Sequence, residues 1–222
     1  MIDQIDPVEQ DVGKGSLLDY FENWGDQQST EVATARTEGQ MPGVELTFVR
    51  FSGKDGLELE LTMPKLRLFD YTVMFWFRSH KTYDELLTDE TILNKKARLF
   101  ELPGAVACSI TRTSTEDPHI VCNTRSDNLK LSLADLPDLK AWMHLTFAAN
   151  YGDDFGPKNE HCYIRVDDLE AKGKYPPMQD RRAYLSSGFD YMDGNGHPDG
   201  FPGDYRQFWY AMTFIDPDRI KY

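Results

Sequence analysis

A recurring pattern constrains this chain more than any other feature: short runs alternate apolar and polar residues, and each closes on a cluster of turn formers. Residues 45–51 (ELTFVRF) and 57–61 (LELEL) repeat with a period of two, as strands do when one face meets a core and the other meets solvent. The break between them, SGKDG, ends in the hairpin dipeptide Asp55-Gly56. Residues 71–77 (YTVMFWF) are apolar on both faces, which marks a central strand covered on both sides. Helix is the competing reading there, but Thr72, Val73, Phe75, Trp76 and Phe77 are poor helix formers.

Only residues 82–94 (TYDELLTDETILN) have helical character, and they lead into the strand ARLFEL. AVACSITR and HIVCNTR flank TSTEDP and read as an antiparallel hairpin. LKLSL, WMHLTFAANY, CYIRVDD, RAYLSS and YRQFWYAMTFI complete the series. Strands spaced by roughly 10 residues, with turn chemistry between them, describe an all-β sandwich or barrel. At 222 residues, with no repeat or linker to divide it, the chain reads as a single domain. Residues 1–43 form a polar segment, and residues 44–222 carry the core strands. Within the polar segment, residues 27–43 (QQSTEVATARTEGQMPG) read as loop, with a short ordered stretch at 17–24.

The formal net charge of −13 opposes a phosphate backbone and an anionic membrane surface, so neither nucleic acid nor a membrane is an expected partner. No run reaches the roughly 20 apolar residues of a membrane span. The first residues, MIDQIDPVEQDVGKG, lack the basic and apolar regions of a signal peptide. Three cysteines are too few for a disulfide scaffold. Cys108 and Cys122 are equidistant from Thr115, so a symmetric hairpin sets them opposite each other. A cross-strand disulfide and two buried thiols both fit that placement.

Four segments resemble the laminin-G-like, concanavalin A-like domains. Residues 71–78 (YTVMFWFR) are similar to the family's aromatic strand, and residues 142–147 (WMHLTF) to its W-x-H strand. Residues 161–168 (HCYIRVDD) resemble its "lYvDG" strand, with Asp168 where glycine is usual. Residues 201–222 resemble the closing strand and the short helix after it, with Arg206-Gln207 replacing an acidic pair. The resemblance spans residues 45–222. It implies a two-sheet antiparallel jelly roll with function on loops or on a sheet face.

Catalysis finds little support. Glu58 and Glu60 share a strand face, but position 62, where a third acid would complete a glycosidase run, is Thr62. The five histidines are scattered, and no nucleophile elbow is present. The most distinctive polar segment is residues 188–203, GFDYMDGNGHPDGFPG. Its glycines and oxygens suit a calcium loop of non-EF-hand type, with Asp190, Asp193, Asn195 and Asp199 as metal ligands. A plain glycine-rich turn is the competing reading. Tyr191, Asp193, Asn195, His197 and Asp199 are the ligand-binding candidates of the same loop. Trp76, Phe77, Trp142 and Phe147 are expected to be buried, and Trp209 is assigned to the core. Trp24, Tyr151, Tyr191 and Tyr205 are the aromatic residues assigned to ligand stacking.

The expected function is therefore a non-catalytic recognition module that binds glycan or protein surfaces at the edge of the sandwich, with calcium as its one candidate cofactor. Such a role fits an extracellular or cell-surface setting. The alternative is a structural subunit or domain buried against neighbouring domains or subunits, and a glycoside hydrolase stands third.

Overall fold

The computed structural model describes residues 31–35, 46–54, 56–61, 68–152, 160–186 and 199–216. They form two antiparallel sheets laid face to face, one of the two architectures the alternation admits and the jelly-roll sandwich that the resemblance implies. With strands numbered in chain order, the seven-stranded sheet runs β1 (Glu31–Ala35), β2 (Leu46–Phe51), β13 (Gly203–Ala211), β4 (Tyr71–Ser79), β9 (Met143–Asn150), β10 (His161–Val166) and β11 (Leu169–Gly173). The six-stranded sheet runs β3 (Leu57–Glu60), β12 (Arg182–Leu185), β5 (Ala97–Leu102), β6 (Val106–Thr111), β7 (His119–Thr124) and β8 (Asn128–Ser132). A short α-helix, α1 (Tyr83–Leu87), begins at a capping box in which Thr82 Oγ1 accepts from Glu85 N and Glu85 Oε2 accepts from Thr82 N.

Alternation along β4 sets the core. Tyr71, Val73, Phe75 and Phe77 point inward and are fully buried. They meet Phe100 of the six-stranded sheet and Phe147 of β9, with Phe75 and Phe100 rings 5.5 Å apart and edge-on. Tyr205 lies in the same layer, 5.2 Å from the Phe51 ring. On the outer face of the six-stranded sheet, Arg98 and Glu101 are both buried and form an ion pair, Nε to Oε2, at 3.5 Å.

Cys108 and Cys122 face each other across β6 and β7 and are joined by a disulfide. Cys162 is a buried free thiol whose Sγ donates to Lys174 O at 3.2 Å. Burial, with the Asp127 charge adding to it, pushes that thiol up to about 12.

Two strands appear where the alternation gave no signal. Residues 31–35 pair along their length with β2, so the polar N-terminal segment contributes a strand and not only loop. Residues 169–173 form an edge strand beside β10. Assigning residues 71–77 to a strand covered on both sides also needs correction. Thr72 is covered, but Met74, Trp76 and Arg78 on the outer face are only half-buried.

The segment between β12 and β13 is pinched shut at its base. Gly200 N donates to Gly53 O, Phe201 N to Arg98 O, and Ser186 Oγ to Phe201 O. Gly200 presses so closely on Ser186 that an added Cβ would lie 1.7 Å from the Ser186 carbonyl oxygen. Gly200→Ala is therefore expected to force the neck apart and destabilise the fold by about 3 kcal/mol, the upper end for overpacking. Urea unfolding would measure this, and a midpoint within error of the unaltered protein would contradict it.

Candidate functional site

The face of the seven-stranded sheet that points away from the core carries Phe48 and Arg50 on β2, and Asp204, Arg206 and Trp209 on β13. It also carries Met74, Trp76 and Arg78 on β4, His144 and Thr146 on β9, and Arg165 on β10. Strand register lays these side chains in rows across the sheet. Arg50, Asp204 and Arg78 form one row; Arg206, Trp76 and His144 form the next; Trp209, Met74, Thr146 and Arg165 form a third.

A β-bulge creates the third row. Pairing slips between Arg206 and Trp209, and Gln207 takes φ 51° to absorb the extra residue. Unbroken alternation would point Phe208 outward and Trp209 into the core. The bulge reverses them: Phe208 stacks on Phe75, and Trp209 stands 60% exposed.

The first row is an ion cluster. The Asp204 side chain, 2% exposed, accepts from Arg50 Nε at 2.9 Å and Arg78 Nε at 2.8 Å, and lies 2.8 Å from His80 Nε2. Burial alone would raise this carboxyl. Hydrogen bonds from His80, Arg50 and Arg78 outweigh it and hold Asp204 well below the usual carboxylate range.

Above this row the arginines and aromatic rings interleave. The Arg78 guanidinium lies 5.1 Å from the Phe48 ring and 4.7 Å from the Trp142 ring. The Arg206 guanidinium lies 4.1 Å from Trp142 and 5.3 Å from Trp76, a double cation–π contact. Nε and Nη1 of Arg206 are buried and meet no hydrogen-bond acceptor. Desolvation, reinforced by the like charge of Arg78, lowers Arg206 to about 10.

His144, edge-on to Trp76 at 5.0 Å, is lowered to about 4 by burial and by Arg165, so it is neutral at physiological pH. Residues 213–215 close one end of the face. Thr72 Oγ1 donates to Thr213 O, Ile215 N donates to Thr72 Oγ1, and Phe214 packs on His161 and Tyr163.

Trp76 and Trp142 were expected in the core, yet both are half-buried on this outer face, and Trp209 is exposed. Phe77 and Phe147 are buried as expected. Tyr205, expected to be free for stacking on a ligand, is fully buried, and Tyr151 is half-buried against Tyr175. Strand parity carried the missed signal: Trp76 shares a face with Arg78, and Trp142 with His144, while Phe75, Phe77 and Phe147 take the other side. Of the loop candidates, Asp190, Tyr191, Asp193, Asn195 and His197 lie outside the described residues, as does Trp24. Asp199 is exposed, and its carbonyl accepts from Arg98 N at 2.8 Å. Glu58 and Glu60 are exposed on one face of β3, with Arg181 Nη1 3.4 Å from Glu60. Among the described residues, no three His, Cys, Asp or Glu side chains converge to hold a metal. No described helix is long and apolar enough to cross a membrane.

Two stacked antiparallel sheets with an arginine- and tryptophan-bearing outer face define a jelly-roll domain. Its fold is similar to domain 4 of AbnA, a GH43 extracellular arabinanase from Geobacillus stearothermophilus, solved with arabinotriose. The two share 13% identity with a TM-score of 0.51, over 87% of this chain and 81% of that one. It is also similar to the receptor-binding domain of botulinum neurotoxin mosaic serotype C/D, at 12% identity and TM-score 0.51 over 85% of this chain and 44% of the toxin domain. Mouse laminin α1 domains LG4-5 align at 16% identity and TM-score 0.45, over 85% of this chain and 47% of that one. The chain thus spans less than half the length of the toxin and laminin structures. No protein-family model and no curated protein matches the sequence.

Two acid-dependent losses of stability are expected. His144 has a folded-state value below its ordinary 6.5, so the unfolded chain takes up a proton that the folded chain refuses. Stability should fall as pH drops from 6.5 toward 4, by at most about 3 kcal/mol. Denaturant midpoints across this window should flatten in His144→Gln, and an unchanged slope would contradict the assignment. Asp204 acts lower: its contribution is present above the ordinary carboxylate value of about 3.9 and is lost as pH falls below it. Asp204→Asn should cost about 2 kcal/mol at neutral pH by leaving Arg50 and Arg78 uncompensated. Thermal unfolding at pH 7 would check this, and no loss would contradict it.

Proposed function

We propose that this domain is a non-catalytic recognition module that takes carbohydrate on the outer face of its seven-stranded sheet. The carrying observation is Trp209, an exposed indole on a strand, held outward by a dedicated bulge beside Met74 and Trp76. A large aromatic ring left in water on a regular strand is hydrophobic surface kept available for contact, and flat indoles suit the apolar faces of sugar rings. Arg206 in the adjoining row adds hydrogen-bond donors that fix a ligand's orientation. The same jelly-roll architecture holds arabinotriose in domain 4 of the arabinanase. The Cys108–Cys122 disulfide supports an extracellular or surface setting, because such bonds persist in oxidising compartments.

The second reading, a structural subunit docked through this face, is favoured by the exposure of Met212 close to Trp209 in sequence. Titration against a panel of soluble oligosaccharides, arabino-oligosaccharides included, separates the two. Trp209→Ala should weaken the best ligand roughly tenfold or more while leaving the melting temperature unchanged. If no saccharide binds and the unaltered chain instead self-associates in a Trp209-dependent way, the subunit reading replaces this one.

A further inference from the structure

The charges on this face do not balance evenly. Arg50 and Arg78 share the Asp204 carboxylate. Arg165 donates from Nε to Asp167 O and lies 3.8 Å from Asp168. Arg206 has the indoles of Trp142 and Trp76 within 4.1 and 5.3 Å and Arg78 as a like-charged neighbour, and among the described residues no carboxylate pairs with it. A chain with 37 acidic and 24 basic residues has carboxylates in excess, yet among the described residues none is paired with Arg206.

We propose that the ligand of this face is an anionic saccharide, a uronate-type glycan whose carboxylate pairs with Arg206 while its ring stacks on Trp209. This rests on the recognition reading above and adds the chemical class of the ligand. The spacing fits. Arg206 lies opposite Trp76 and Trp209 opposite Met74, two residues apart along β4, which is about 7 Å at about 3.4 Å per residue. A single sugar ring and its exocyclic carboxylate span that distance. Guanidinium suits the role because the half-buried cation can donate a charge-assisted hydrogen bond to a carboxylate while it stays over the aromatic rings. Desolvation by Trp142 and Trp76 strengthens the attraction, since the charge there is less screened than in open water.

The test is calorimetric titration of the whole chain with an oligogalacturonate and with its fully methyl-esterified counterpart, at low and high salt. The acid should bind roughly tenfold tighter than the ester, and the difference should shrink as salt rises. Arg206→Gln should remove the difference by weakening the acid far more than the ester, Arg206→Lys should keep part of it, and Trp209→Ala should weaken both ligands. Equal binding of acid and ester to the unaltered protein overturns the anionic ligand and leaves carbohydrate recognition standing. Binding of neither, together with a silent Trp209→Ala across the oligosaccharide panel, overturns both. Arg206-dependent binding of poly-glutamate without binding of either saccharide overturns the sugar in favour of an acidic protein partner. Should Arg206→Gln fail to fold, the acid-against-ester comparison on the unaltered chain still decides the matter.

Discussion

The Asp204 carboxylate ties together three strands that are distant in sequence. It stands on β13 and reaches Arg50 on β2 and Arg78 on β4, the two strands that flank it. Removing a carboxylate from water is costly unless nearly every lone pair finds a donor, and here two guanidiniums and an imidazole surround it. A one-residue slip of β13 would turn Asp204 into the aromatic core and Tyr205 out to solvent. The ion cluster thus works with the hydrophobic layer to fix register. Everything above it on the sheet inherits that register, including the rows of Arg206 and Trp209.

The interleaved layer does two jobs. Arg78 is at once a partner of Asp204 and a cation between the Phe48 and Trp142 rings. The ion cluster therefore holds Trp142 in place, and Trp142 in turn holds Arg206. A recognition surface built this way is pre-ordered: little side-chain freedom remains to be lost when a ligand arrives, which favours affinity. The Gln207 bulge adds Trp209 to a face that regular alternation would have denied it.

Much of this was legible in the sequence. Period-two alternation located β2, β3 and the β6–β7 hairpin, the two-faced apolar run at 71–77 located β4, and the symmetric placement of Cys108 and Cys122 about Thr115 matched their cross-strand position. The edge strands were less visible. LEAKG offers only Leu169 and Ala171 to the core, and Val32 is the one apolar residue of EVATA larger than alanine, so neither shows the amplitude that the alternation test needs. For Trp76 and Trp142, residue type points to the core while strand parity points to the outer face, and parity decides. An indole flanked by Phe75 and Phe77 looks like core, although Arg78 two positions on marks its face as the outer one. The bulge had no sequence warning, since Gln207 is neither glycine nor asparagine, the residues that ordinarily announce positive φ. The loop candidates at 190–197 belong to a segment whose base alone is described, at Ser186, Asp199 and Gly200.

The placement of β13 also governs how the chain can be made. Asp204 meets Arg78 across 126 residues and Arg50 across 154. During synthesis β2 and β4 therefore emerge from the ribosome with a full strand's width missing between them. At about 5–20 residues per second, that interval lasts roughly ten seconds. For that time both strands expose unpaired backbone, with Phe48, Phe51, Phe75 and Phe77 beside it, the combination that draws chains into edge-to-edge association. The acidity of the sequence takes on a second meaning here. A surplus of like charge keeps nascent chains apart until their own late strand arrives to fill the gap.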